Sequence, residues 1–292
     1  MPGQGCPSLT CREIEIADVP AIIELLQAGF PNRTRSYLQD GFQRLAAHTP
    51  PEGVPKFGYV LLSDATPIGV LLLISSRCNG AGSPAIRCNV SSWYVRPDFR
   101  AYAPMLSMRA TKSKAITYLN IWPADHTLQT IEAQGFSKAT GGFFAGVPAL
   151  GRIRNDVRIA STPQAWDRSR FMSPAELQLL EDHANFGCIC LWCETAAAGH
   201  PFIFKRRFTR HIPLPCAMLI YANSLDDVED LAGPVGRFLA LKGLPVMVVG
   251  ADRPLKRMPG KHFESKMQLY SKGSRAPRGS DLSYTEAAVF GL

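Results

Sequence analysis

Two arginines set four residues apart carry the chain's clearest chemical signal. In Tyr94-Val-Arg-Pro-Asp-Phe-Arg100 a strand-like stretch, Arg87–Val95, runs into a helical one, Met105–Lys114. The first N–H groups of a helix have no intrahelical partner, and the helix dipole is positive there, so a strand that opens into a helix suits an anion. Arg96 and Arg100 flank that turn and could add charge-assisted contacts to a phosphate. The plainer reading is two solvated arginines at a strand end.

Other polar clusters are weaker. Cys188-Ile-Cys-Leu-Trp-Cys193, with Cys216 or His200 as a fourth ligand, invites a metal reading. On an extended strand, however, Cys188 and Cys190 share one face and Cys193 takes the other. Zinc sites usually use turn-mounted Cys-x-x-Cys pairs, so buried apolar cysteines outweigh a metal. Lys205-Arg-Arg-Phe-Thr-Arg-His211 and Arg253-Pro-Leu-Lys-Arg-Met-Pro-Gly-Lys261 suit phosphate or single-stranded nucleic acid, against solvated surface as the alternative. Lys272–Ser280 reads as a mobile basic loop.

The elements that position these residues alternate along the first half. Arg12–Ile16 alternates polar and apolar residues as a strand does, and Asp18 is placed to cap a helix carrying Ile22, Ile23, Leu25 and Leu26 on its buried side. A second helix is expected over Ser36–Ala47. Strands follow over Phe57–Ser63 and Ile68–Ser75, joined by the turn Asp64-Ala-Thr-Pro. After Arg87–Val95 and the Met105–Lys114 helix come a strand over Ala115–Ile121, a short helix over His126–Gln134 with Asp125 as its cap, and a hairpin of Phe136–Lys138 with Gly142–Gly146.

The second half carries a fainter copy. Cys216–Tyr221, Leu225–Leu241 and Leu244–Gly250 read as strand, helix and strand. Tyr94 to Asp125 and Tyr221 to Asp252 both span 31 positions, and both spans end in Ala-Asp. Gly187–Glu194 and Pro201–Arg206 are further strands, and Lys266–Tyr270 with Tyr284–Phe290 a terminal pair. No first strand or helices are evident in this half, and Pro148–Pro163 reads as a linker.

Val95-Arg-Pro-Asp-Phe-Arg100 and Leu128-Gln-Thr-Ile-Glu-Ala-Gln-Gly-Phe136 resemble the two signatures of the GCN5-related N-acetyltransferases, and the element order matches that family across about the first 150 residues. The resemblance implies an α+β fold: a mixed, mostly antiparallel sheet flanked by helices, duplicated as domains 1–150 and 160–292. It also implies acyl-CoA, commonly acetyl-CoA, as co-substrate, with Tyr94, Val95, Arg96, Arg100, Ala101, Tyr102 and Ala103 around its pyrophosphate and no metal. The acceptor would be a small-molecule or peptide amine. Ala103 and Met105 stand where the family's glycines are, and Pro104 lacks an N–H. Ile131 takes the place of the family's tyrosine acid. His126 could exchange protons, although a surface or capping histidine is the more ordinary role. No catalytic residue can be carried over.

Composition bounds these readings. A 292-residue chain with 46% hydrophobic and 19% charged residues is long and apolar enough for one large or two medium folded domains. No apolar run approaches the ~20 residues of a membrane helix. The N-terminal residues show no secretory pattern, and the eight cysteines fit a reducing compartment, so a cytoplasmic protein is expected. The net charge of +8 is spread over both halves, and on its own it selects neither an anionic ligand nor nucleic acid. Three functions stay open: an acyl-CoA-dependent N-acyltransferase, a ligand-binding or interaction module that kept the fold and lost CoA, and an aminoacyl-tRNA-dependent transferase.

Overall fold

The computed structural model describes residues 8–78, 85–166, 169–208, 214–275 and 277–291. The chain divides into two compact units, Met1–Ser137 with Ser271–Arg275, and Lys138–Tyr270 with Ala276–Leu292.

In the first unit β1 (Leu9–Glu13) leads through a 3-10 turn into α1 (Val19–Gly29) and α2 (Arg35–Ala47). Asp18 does not cap α1. Its carboxylate accepts two hydrogen bonds from Arg12, at 2.6 and 2.8 Å, and one from the amide of Glu15, because the guanidinium offers a stronger donor than a helix amide. Thr34 caps α2 by accepting the Tyr37 amide. β2 (Gly58–Ser63), β3 (Thr66–Cys78), β4 (Ala85–Val95), α3 (Ala103–Ala110), β5 (Ile116–Ile121) and α4 (Leu128–Ala133) follow. The sheet order is β1-β2-β3-β4-β5, antiparallel up to β4, with β4 and β5 parallel.

β3 lies at the centre of this sheet. Its residues Gly69–Ser76 are buried, which accounts for the unbroken apolar run Val70–Ile74. Helices α1 and α3 both pack on β3 and so supply the cover that such a run requires. The tight β2–β3 turn places Asp64 and Ala65 at φ +47° and +71°, as a two-residue hairpin that follows the strand twist demands.

The second unit contains β6 (Ser137–Gly146), β7 (Arg158–Ala160), α5 (Pro163–Trp166), α6 (Pro174–Asn185), β8 (Ile189–Glu194), β9 (Gly199–Phe208), β10 (Pro215–Ala222), α7 (Leu225–Asp230), α8 (Ala232–Leu241), β11 (Val246–Gly250), β12 (Gly260–Lys272) and α9 (Glu286–Val289). Strand order is β12-β6-β11-β10-β9-β8-β7. The β10–β11 pair is parallel, whereas β6–β11, β10–β9, β9–β8 and β8–β7 are antiparallel. One face of this sheet packs α7 and α8 into a core that includes Leu191, Cys193, Phe202, Leu219, Val235, Leu239 and Val249. In each unit the strand pairing is thus mixed and mostly antiparallel, with helices flanking the strands.

Several sequence expectations are corrected. Ser137–Gly146 is one strand and no hairpin, because Gly141 and Gly142 stay within the strand, whose Phe143–Gly146 stretch pairs with β11. Tyr284–Phe290 is not a strand: a buried turn of helix, Glu286–Val289, occupies it. The second unit does have an opening strand and helices, namely β7, α5 and α6. β7 is only three residues long, too short for a periodic pattern to show. Pro148–Pro163 is no free linker either. Its 3-10 turn, Pro148–Leu150, packs on α8, where a Cβ on Gly236 would lie 2.2 Å from the Ala149 amide nitrogen. The helix expected over Leu225–Leu241 breaks at Leu231 into α7 and α8.

Candidate functional site

Strands β4 and β5 pair in parallel from Ile86–Ile116 to Asn89–Leu119 and no further, although β4 continues to Val95 and β5 to Ile121. The buried Asn89 side chain lies at that fork, donating from Nδ2 to the Leu119 carbonyl at 3.2 Å and to the Val90 carbonyl at 3.3 Å. Just past it β4 bulges: the β3 register slips between Val70 and Leu72, and Ser92 takes φ +47°. A bulge bends its strand and re-aims side chains. The result is a wedge between two diverging parallel strands, and among the described residues no strand pairs with the β4 edge that faces β5 beyond Asn89.

The bulge turns Ser91 and Ser92 to the same side, their hydroxyls 3.3 Å apart. Arg33, from the connection between α1 and α2, donates to Ser92 Oγ at 2.8 Å. Its guanidinium lies 4.3 Å from the Phe30 ring centroid and 5.9 Å from that of Tyr37. Tyr94 completes the cluster, its ring packed against Gly29 and 6.0 Å from Phe30. Trp93, the residue after the bulge, keeps its indole N–H buried with no partner among the described residues. Such a buried donor is short of one acceptor.

The expected phosphate turn is present but altered. Between β4 and α3 comes a six-residue 3-10 turn, Pro97–Tyr102, so the strand does not pass straight into an α-helix. Tight i→i+3 bonding uses backbone amides locally. The Phe99 amide donates to the Arg96 carbonyl, the Ala103 amide to the Arg100 carbonyl, and the Arg96 amide to Ile68. Fewer N–H groups therefore face outward than a free helix start would offer. Arg96, Arg100, Ala101 and Tyr102 are exposed, Ala103 is half-buried and Val95 is buried beneath them. Positive side chains, rather than amides, dominate this surface.

Other candidate residues lie elsewhere. His126 is exposed in a 3-10 turn, Asp125–Thr127, and Asp125 caps nothing, since Ala124 is the cap residue. Ile131 is 2% exposed and belongs to the core. Cys190 and Cys193 are buried, and burial pushes both thiols well above the ordinary cysteine range. Cys188 is half-buried, its sulfur 3.9 Å from the Ala288 carbonyl. Among the described residues no group of three or more His, Cys, Asp or Glu is placed to hold a metal.

The basic clusters are tied to their own unit. Lys205 donates to the Phe186 and Ala288 carbonyls, Arg206 to that of Lys242 and Arg207 to that of Gly291. The rest of that cluster, Thr209–His211, lies outside the described residues. Arg253 bridges to Glu229 and Asp226, and Arg257 to Asp230. Nor is Lys272–Ser280 a loose loop at its far end: Arg278 donates to the Asn223 carbonyl, and Ser280 is buried. Among the described residues no helix is long and apolar enough to cross a membrane.

Sequence reasoning missed the part played by Arg33. Nothing local in residues 30–34 shows that Arg33 faces a strand some 60 positions on.

No family model and no curated protein matches the chain. Solved structures do. A GCN5-related N-acetyltransferase from Anabaena variabilis aligns over 90% of this chain and 72% of its own, with a TM-score of 0.59 and 8% identity. A GCN5-related N-acetyltransferase from Kribbella flavida aligns over 91% and 71%, with a TM-score of 0.56 and 10% identity. The glucosamine N-acetyltransferase region of a fungal multi-domain β-N-acetylglucosaminidase covers 92% of this chain and 38% of that one, with a TM-score of 0.57 and 9% identity. At this level of likeness the chain has the fold of the GCN5-related N-acetyltransferases.

Proposed function

We propose that the first unit binds acyl-CoA, with acetyl as the acyl group, and transfers that group to an amine of a small molecule or peptide, and that the two units are tandem copies of one fold. The wedge between β4 and β5 carries this reading. A pantetheine arm contains two amides in an extended chain, and it can hydrogen-bond to an open strand edge much as an added peptide strand does. The residues present fit CoA in the wedge better than at the turn. The bulge opens the edge and Trp93 holds an unanswered donor next to it, while the 3-10 turn has committed amides that a pyrophosphate would use. Arg96 and Arg100 would carry the phosphate charge.

Around the bulge the side chains from β4 are Ser91, Ser92 and Tyr94, met by Arg33, and none of them is a carboxylate or an imidazole. On this reading the acceptor arrives as the free amine. Its nitrogen attacks the thioester carbonyl, the C–N bond forms and the C–S bond breaks. The sulfur leaves as thiolate, and the amine proton passes to that thiolate or to water. Orientation of the two reactants supplies much of the rate.

Titrating acetyl-CoA and a longer acyl-CoA calorimetrically into the protein and into Arg100→Ala tests this. Micromolar binding that the substitution weakens supports it. Absence of binding by either thioester leaves a non-enzymatic interaction module, which Ala103 and Met105 in place of glycines would explain.

A further inference from the structure

The second unit contains a wedge of the same kind. β10 and β11 pair in parallel only from Cys216–Val246 to Met218–Val248, although β10 runs on to Ala222 and β11 to Gly250. The register of β10 against β9 slips between Leu219 and Tyr221, so this strand also bulges just beyond the fork.

This wedge is filled. Past the fork, the Leu282 amide donates to the Ile220 carbonyl at 2.7 Å, and the Ala222 amide donates to the Ser280 carbonyl at 3.0 Å. Tyr221 and Asp281 form an antiparallel bridge between them. On the β11 side, Gly250 and Gly279 touch backbone to backbone: a Cβ on Gly250 would lie 2.6 Å from the Gly279 carbonyl oxygen, and one on Gly279 would lie 2.7 Å from that of Gly250. The segment Gly279–Leu282 thus reaches both walls of the fork.

It is also anchored at both ends. Upstream, Arg278 donates to the Asn223 carbonyl. Downstream, the Asp281 carboxylate accepts the Ser283 hydroxyl at 2.6 Å, the Tyr284 hydroxyl donates to Asp182 at 2.6 Å, and the Tyr284 amide donates to His183 Nε2 at 3.2 Å. Ser280, Leu282, Ser283 and Thr285 are buried, as is all of α9. The main-chain bonds at Ile220 and Ala222 are those that an extended amide chain laid along this bulge would need, and they are already made.

We infer that Ser280–Leu282 is the built-in occupant of the second unit's wedge, so that each chain offers a single acyl-CoA slot, that of the first unit. The statement about stoichiometry rests on the reading of the first wedge as the acyl-CoA slot, whereas the occupancy does not.

The test pairs acetyl-CoA stoichiometry, by calorimetry and native mass spectrometry, with amide hydrogen exchange on the intact protein with and without acetyl-CoA. The expected result is one equivalent bound, with the Ala222 and Leu282 amides exchanging at least about a hundredfold slower than unstructured chain in both samples. Two equivalents, or loss of protection at Ala222 and Leu282 when acetyl-CoA is added, overturns the inference. If no acetyl-CoA binds, the acyltransferase reading fails by itself. The occupancy then stands on slow exchange at those two amides in the free protein, and falls if they exchange at the unstructured rate.

Discussion

Gly250, the last residue of β11, meets Gly279 backbone to backbone, with room for a Cβ on neither. Methyl groups at such a contact force backbone shifts that typically cost about 1–3 kcal/mol. Gly250→Ala and Gly279→Ala should each lower unfolding stability by that amount, measured in urea. The double variant should cost less than the sum, because the two changes relieve or strain one contact. Strict additivity would mean that the residues do not touch in solution.

Arg100→Ala should weaken acetyl-CoA binding about tenfold or more, the scale of one charge-assisted contact, while leaving stability within about 0.5 kcal/mol because the side chain is exposed. Calorimetry together with thermal unfolding separates the two effects. An unchanged dissociation constant would move the phosphate away from this turn.

None of Arg33, Ser91, Ser92 and Tyr94, the side chains gathered at the bulge, is a carboxylate or an imidazole, so transfer should rise with pH until the acceptor amine is fully deprotonated. The midpoint should then move with the acceptor when amines of different basicity are compared. A midpoint that stays in place across acceptors would identify an ionising group of the protein instead.

Glu229 offers a pH probe of the second unit. Burial alone would raise its pKa, but the Arg253 guanidinium and the amides of Lys256 and Arg257, at 2.9 and 3.2 Å, outweigh it and hold the carboxyl below its ordinary value. A lowered folded-state pKa adds stability above the unfolded value, roughly 4.3, and that stability is lost as pH falls through the folded value. Glu229→Gln should therefore be less stable than the parent at pH 7 by about 1–3 kcal/mol, and the gap should narrow as pH falls below the unfolded value and on through the lower folded one. A gap that does not change with pH would show that the charge plays no part.

Ala65 sits at φ +71° in the β2–β3 turn, a region costing a residue with a Cβ about 1–2 kcal/mol. Ala65→Gly relieves that strain but frees the unfolded chain, so a net gain of about 0.5–1 kcal/mol in denaturant stability is expected. A net loss would place the turn outside the left-handed region.

Local patterns made much of the first unit legible. Val70–Ile74 reads as a strand, Asp64-Ala65 as its turn, and Arg87–Val95 as the strand before the arginines, because each depends on neighbours a few positions away. The equal 31-residue spacings likewise pointed to two strand–helix–strand segments that the structure contains. Long-range pairings decided the remainder. Nothing local tells that Ser92 bulges towards Arg33, that the 3-10 turn takes up the amides of Phe99 and Ala103, or that β7 is a strand at all. The C-terminal stretch is the clearest case. Tyr284–Phe290 has strand-like residues, yet Ser280–Leu282 already meets β10 and the chain turns inward after it as α9. Propensity describes what a segment can form alone, and only the tertiary fold determines which strand edge stays open and which the chain closes itself.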